Sequence, residues 1–236
     1  MFFVLAISSQ LLMAHHGKKY LVTSSYELPQ PGSVHALWVN EFGRASDDHA
    51  FGFVPGILYG ITHYWDAELH LHQSFEESVF KTDAIALESR FGLWGDYSEQ
   101  GEREADEDGL SSFGGAILLE IERSLRDPTE SFEARFIVGG ETRTLSYAMN
   151  FVWQRSLRAS TLSQTRYAIG LKKSLAHGVG VGLEIDGTLA GFEELRWTPG
   201  LYLAATDRVD LKIGASLPTN PTSDDYTIRM AFVWAL

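Results

Sequence analysis

The chain has 236 residues, 21% of them charged and 44% hydrophobic, with a formal net charge of −12 and no cysteine. That length suits one β domain of ordinary size. The acidic balance argues against a nucleic-acid partner, which needs a basic face. The lack of thiols excludes disulfides and thiolate metal sites, and no apolar run reaches the roughly 18 residues of a transmembrane helix.

Residues 1–14, MFFVLAISSQLLMA, carry apolar runs at 2–7 and 11–13 and end on the small Ala14. This fits the apolar core and cleavage side of a secretory signal, although a basic n-region is missing. An apolar helix packed on the domain is the other reading. Residues 15–32 read as an N-terminal extension, periplasmic if the segment before it is an export signal. Within it, 20–26 has strand composition, and Pro29, Pro31 and Gly32 then break regular structure.

From about residue 33 onward, segments of roughly 10 to 14 residues repeat strand, turn, strand. In 34–43, Val34, Ala36, Trp38 and Phe42 share a phase; in 49–61, Phe51, Phe53, Ile57, Tyr59 and Ile61 do. Segment 65–76 sets Trp65, Ala67, Leu69, Leu71 and Phe75 against Glu68, His70, His72 and Ser74. In 83–94, Ile85, Leu87, Phe91 and Leu93 oppose Glu88 and Arg90. An acidic block at 95–109 reads as a solvated loop, without the ligand spacing of a calcium-binding loop.

Segment 113–123 sets Ile117, Leu119 and Ile121 against Glu120 and Glu122; 131–140 sets Phe132, Ala134, Phe136 and Val138 against Glu133 and Arg135. In 144–155, Leu145, Tyr147, Met149, Phe151 and Trp153 oppose Ser146, Asn150 and Gln154. Segment 165–175 carries Tyr167, Ile169 and Leu171 in one phase and Lys172 in the other. In 178–188, valines and Leu183 alternate with Gly180, Gly182, Glu184 and Asp186. Segment 193–205 opposes Leu195, Trp197, Leu201 and Leu203 to Glu194, Arg196 and Thr198; 209–217 opposes Leu211 and Ile213 to Asp210, Lys212 and Ser216. The last segment, 226–236, reads Tyr226, Ile228, Met230, Phe232, Trp234 and Leu236 on one face, with Arg229 on the other.

A period of two means strands with unlike faces. About twelve of them, joined mostly by short turns, predict an all-β fold: a closed antiparallel up-and-down transmembrane β-barrel over 33–236. Pro55 and Pro199 fall inside proposed strands and are expected to mark bulges or later strand starts.

The alternating apolar strand that ends the chain resembles the closing strand of Gram-negative outer-membrane β-barrels of the porin and transporter kind. The resemblance implies a place in the bacterial outer membrane, contact with its lipid, insertion by the barrel-assembly machinery and both termini in the periplasm. Three features of the residues turn the apolar face outward. Twelve strands tilted by about 40° enclose a backbone diameter of roughly 24 Å, which apolar side chains alone fill poorly. The polar face mixes glycine with charges of both signs, and each Arg or Lys facing lipid at mid-depth costs about 2–4 kcal/mol. Aromatic residues gather toward strand ends, with Trp65, Phe91, Tyr147 and Trp234 at one side and Phe53, Phe75, Phe132, Trp153, Tyr167 and Trp197 at the other. That is the pattern of two interfacial belts.

The expected lumen is therefore lined by Glu68, His70, His72, Glu88, Arg90, Glu120, Glu133, Arg135, Asn150, Lys172, Glu184, Arg196, Asp210, Lys212 and Arg229, with opposite charges paired across neighbouring strands. Such a barrel reads as a narrow channel or a transporter of a small polar solute. The alternatives are a non-conducting structural barrel and a lipid-acting membrane enzyme.

Candidate chemistry is sparse. His70 and His72 share a strand face beside Glu68 but lack an assignable third metal ligand. His72-Gln73-Ser74 has the spacing of the outer-membrane phospholipase pair, yet both side chains fall on the polar face, whereas that family's pair faces lipid. No catalytic residue, metal site or cofactor is expected.

Overall fold

The computed structural model describes residues 19–45, 48–76, 79–95, 110–127, 129–157, 163–176, 178–189, 191–219 and 226–236. The expected signal segment at 1–14 and the acidic block at 96–109 lie outside them. Twelve strands run in chain order: β1 (Val34–Ala45), β2 (Asp48–Thr62), β3 (Trp65–Glu76), β4 (Val79–Trp94), β5 (Leu110–Ser124), β6 (Glu130–Thr142), β7 (Leu145–Ser156), β8 (Gln164–Ala176), β9 (Val179–Thr188), β10 (Gly191–Thr206), β11 (Val209–Pro218) and β12 (Tyr226–Ala235). Each strand pairs with the next, and β12 returns to β1, closing the barrel. The seam is antiparallel and unbroken from His35 opposite Ala235 to Arg44 opposite Tyr226. Closure leaves no strand edge exposed, which is what a β structure needs to sit in hydrocarbon.

The pleat sorts the side chains as the alternation requires. On β3, Leu69 is half exposed while Asp66, Glu68, His70 and His72 are buried. On β12, Phe232 and Trp234 are exposed while Thr227 and Arg229 are buried. The apolar face is the outer one, and the charges point inward. Aromatic side chains mark the rims: Trp65 stacks on Phe91, ring centroids 5.8 Å apart, at one end. Phe75 meets Phe80, and Phe132 meets Trp153, at the other.

Neither Pro55 nor Pro199 makes a bulge. Pro55 sits opposite Trp38 on β1, and on its other side the β2–β3 register passes from Phe53–Gln73 to Gly56–His70 without slipping. Pro199 likewise faces Leu183, and the β10–β11 register resumes unshifted at Gly200–Gly214. In an antiparallel strand a residue's N–H and C=O point to the same neighbour. A proline therefore interrupts the ladder on one side only, and a closed barrel tolerates that.

The fold departs from expectation before β1. Residues 15–32 read as an extension outside the barrel. The chain from Tyr20 to Leu28 lies inside it instead, with Tyr20, Leu21, Val22, Thr23, Ser24, Ser25, Tyr26 and Leu28 all buried. It enters beside Glu141, near the short β6–β7 turn, and leaves at the same end. There Gly32 donates its N–H to the Gly60 carbonyl at 2.8 Å, and Gly60 donates to the Ser33 carbonyl at 3.0 Å. The segment is a loop dipped into the barrel from the end that holds the start of β1. Gly32 has φ = +80°, a conformation that suits glycine at the turn out of the mouth.

Candidate functional site

The candidate site is the lumen together with the loop that occupies it. Of the fifteen expected lining residues, Glu68, His70, His72, Glu88, Arg90, Glu120, Glu133, Arg135, Asn150, Glu184, Lys212 and Arg229 are buried inside. Lys172 and Arg196 are half-buried. The Lys172 ammonium lies 5.4 Å from the ring centroid of Tyr202, itself buried. Asp210 is exposed, one residue beyond the start of β11, and stands at the mouth rather than in the interior.

Opposite charges do pair across strands in places. Arg90 donates to Asp66 Oδ2 through Nε at 3.1 Å and Nη2 at 2.5 Å, and Arg229 donates from Nε to Glu41 Oε1 at 2.6 Å. Both pairs are direct register partners. Arg135 instead pairs along its own strand, donating to Glu133 at 2.7 Å. Elsewhere the expected pairing of opposite charges across strands gives way to like charges. Glu68 sits opposite Glu88, Glu88 opposite Glu120, and Glu120 opposite Glu133. Four buried glutamates thus form one row across β3 to β6. Like charges placed directly opposite destabilise a sheet, and this side of the wall concentrates carboxylates, the outer two of the row relieved by Arg135 beside Glu133 and His70 beside Glu68.

The histidines belong to the same wall. His70 Nδ1 lies 3.2 Å from Glu68 Oε1, and His72 Nε2 lies 3.4 Å from Glu122 Oε2. Among the described residues, no group of three or more His, Cys, Asp or Glu is arranged to hold a metal ion. Ser74 Oγ accepts a hydrogen bond from Arg126 Nη2 at 2.6 Å, so Ser74 and His72 are each engaged by other residues.

The loop is held mainly by its main chain. Glu184, fully buried, accepts three consecutive N–H bonds: from Leu21 at 2.6 Å, Val22 at 2.8 Å and Thr23 at 2.6 Å. Tyr202 Oη donates to the same carboxylate at 2.8 Å. Asn150 pairs with Ser24 as a strand residue would, accepting its N–H at 2.6 Å and donating to its carbonyl at 2.9 Å. Arg90 donates to the Ser25 carbonyl at 2.8 Å, and Lys212 to the Tyr20 carbonyl at 3.1 Å.

Space for the loop comes from glycines on the inner face. A Cβ at Gly170 would stand 2.8 Å from the Tyr20 ring, and one at Gly214 would stand 2.5 Å from Leu21 Cδ1. Apolar wall residues finish the fit. Leu21 and Val22 cluster with Val39, Val54 and Ala231, while Tyr26 and Leu28 cluster with Ala116, Leu118 and Ile137.

At the mouth, Lys19 contacts Glu27 and Glu141, tying the two limbs of the loop to each other and to β6. Burial opposes the Lys19 charge, but the two carboxylates outweigh it and raise its pKa above the ordinary lysine value. Burial pushes the Glu27 carboxyl above the usual carboxylate range, with Lys19 opposing.

The sequence missed this loop, and it missed Asp66, Glu41 and Tyr202 as inward-facing partners. A signal existed. Leu37, Val39, Val54 and Leu58 are apolar at positions whose phase points inward, and all four are buried. A water-filled lumen gives no reason for them; the apolar insert accounts for Val39 and Val54, which pack with Leu21 and Val22, while Leu37 and Leu58 pack with Val233 of the wall.

No protein-family model matches the sequence, and neither does any curated protein. Among solved structures, the chain is similar to a KdgM porin, with a TM-score of 0.61 and 6% identity over 86% of this chain and 99% of that one. It is also similar to a NanC porin, with a TM-score of 0.58 and 9% identity over 84% and 100%. A third likeness is to the COG4313 outer membrane channel from Pseudomonas putida F1, with a TM-score of 0.55 and 10% identity over 89% and 98%. At such identities the likeness is one of fold: the closed twelve-strand barrel of porin-like outer-membrane proteins.

Proposed function

We propose that this chain is an outer-membrane channel for small polar solutes, narrowed at rest by its own residues 19–29. The observation that carries this reading is the division of the barrel into an apolar outer face and a charged interior. Such a wall suits lipid outside and a hydrated path inside. A lumen packed only for stability has no use for four glutamates in a row. The fold shared with porins supports the same reading, which carries with it an outer-membrane location and insertion by the barrel-assembly machinery. We propose no enzymatic role. His72 and Ser74 are turned to the inner wall, away from lipid, and are bound there to Glu122 and Arg126.

The row Glu68, Glu88, Glu120 and Glu133 makes cations the favoured solute class, because acidic linings select for positive charge. Conductance in planar bilayers under a salt gradient tests this. The expected result is small, cation-preferring conductance whose reversal potential moves toward zero in the Glu88→Gln/Glu120→Gln protein. Absence of any conductance, from the whole protein and from protein with the loop loosened, would overturn the channel reading.

A further inference from the structure

The way the loop is held identifies a class of ligand. From Tyr20 to Ser25 the wall grips peptide groups: Glu184 takes three N–H groups in succession, Asn150 takes both main-chain groups of Ser24, and Arg90 and Lys212 take carbonyls on either side. Contacts of this kind do not depend on which side chain a residue carries. Side-chain identity enters where space is limited, at Gly170 for an aromatic ring, at Gly214 for an aliphatic side chain next to it, and at Gly114, where a Cβ would stand 2.5 Å from the Tyr26 ring. The pattern is an aromatic and an aliphatic residue, then a second aromatic five positions on; between them Val22 joins the apolar cluster and Ser24 Oγ accepts from Arg135 Nη1 at 2.5 Å, which leaves Thr23 and Ser25 as the positions of free choice.

We propose that the lumen is a binding site for looped peptides of this pattern, read through their main-chain amides, and that residues 19–29 are its resident, covalently tethered ligand. The proposal concerns the same lumen as the channel reading and rests on it only where conductance is the readout; binding is measured independently. A tethered ligand acts at an effective concentration on the order of millimolar, so a free peptide enters only when the resident is weakened.

The test uses the full-length protein carrying Thr23→Pro. Proline lacks an N–H, so the resident loop loses one bond to Glu184 while the wall stays intact. A fluorophore-labelled peptide with the sequence of residues 19–30 is titrated onto the protein in detergent micelles and followed by anisotropy. One charge-assisted bond is worth roughly tenfold or more, so the peptide is expected to bind the Thr23→Pro protein at least about tenfold tighter than the unaltered protein. Adding Glu184→Gln removes a similar factor. Replacing the peptide residues that match Thr23 and Ser25 by alanine leaves binding unchanged, whereas N-methylating the amides of its third, fourth and fifth residues, those matching Leu21, Val22 and Thr23, abolishes it.

If Thr23→Pro fails to admit the peptide, a chain lacking 19–29, checked for folding by β-sheet circular dichroism, is titrated in the same way. Absence of binding there overturns the proposal, as does binding indifferent to Glu184→Gln or to N-methylation. Binding without conductance in any variant sinks the channel reading and leaves the peptide site standing. Conductance that rises on loosening the loop, with no peptide binding, does the reverse.

Discussion

Glu184→Gln tests the hold of the wall on the loop most directly. In the native arrangement Oε1 accepts from Leu21 N–H and Tyr202 Oη, and Oε2 accepts from Val22 and Thr23 N–H. An amide must turn its NH2 toward one of these pairs. Facing Leu21 and Tyr202 is cheaper, because the phenol hydroxyl can rotate to accept. The Leu21 N–H is then left facing a donor in a buried site. Losing a hydrogen bond to a charged acceptor costs about 1.5–3 kcal/mol. At 1.4 kcal/mol per tenfold, the loosened population of the loop rises about 10- to 100-fold. Leu21, Val22, Tyr26 and Leu28 keep their apolar partners, so the loop is loosened rather than expelled. Single-channel recording reads this as open probability, and amide hydrogen exchange at residues 21–23 reads it without any need for conduction. Asp186→Asn is the control: it also removes a buried charge, but from a residue that pairs with Arg166 at 3.5 Å. Equal exchange rates at 21–23 in Glu184→Gln and unaltered protein would refute the reasoning.

Other perturbations separate the loop from the wall. Gly170→Ala puts a methyl group against Tyr20 and Thr23, whose nearest atoms would lie 2.8 to 3.1 Å away. Overpacking of about 1–3 kcal/mol should raise loop opening by roughly 5- to 100-fold with little change in barrel melting, and Tyr20→Ala should reverse it. Lys19→Met removes the clasp to Glu27 and Glu141 and is expected to speed exchange at the loop a few-fold, or about 1 kcal/mol for a part-exposed pair. Because the Lys19 pKa is raised, its contribution is full below the ordinary value of 10.5 and is lost only as pH rises through the raised value. Exchange rates corrected for intrinsic pH dependence should therefore show no loosening between neutral pH and about pH 10, and loosening inside that window would contradict the pairing, whereas acid, by protonating Glu27 and Glu141, releases the clasp. On the outer face, Leu69→Arg places a charge near the middle of β3 on the lipid side. It is expected to cost about 2–4 kcal/mol in folding titrations into liposomes.

The architecture was largely legible because its signal is repeated in every strand. Leu69 against His70, Leu87 against Glu88 and Phe232 against Arg229 each vote for the same two faces, and a strand slipped by one residue would invert all of them. Twelve of the fifteen expected lining residues are buried for that reason. Asp210 stands at the mouth: phase says which face a residue is on and nothing about how far along the strand the lumen remains enclosed. The glutamate row was illegible for another reason. Each Glu was visible, but the register that sets Glu88 against Glu120 depends on loop lengths and stagger, and alternation leaves both undetermined. The loop is the clearest omission. Residues 19–29 have no periodic pattern, since their bonds run from main chain to Glu184 and Asn150, far along the chain, rather than to neighbours in a ladder. Their trace in the sequence was indirect: Val39 and Val54 on the face that should be wet.

Both limbs of the inserted segment pass through one mouth, the mouth where β1 begins and β12 ends. Nothing needs to be threaded from one side of the barrel to the other. The wall can zip shut along the β1–β12 seam first, and the segment can fold in afterwards as a bight of rope drops into a cup. Sealing the cylinder and stoppering it can thus be separate events, because the geometry puts no part of the seam in the path of the segment.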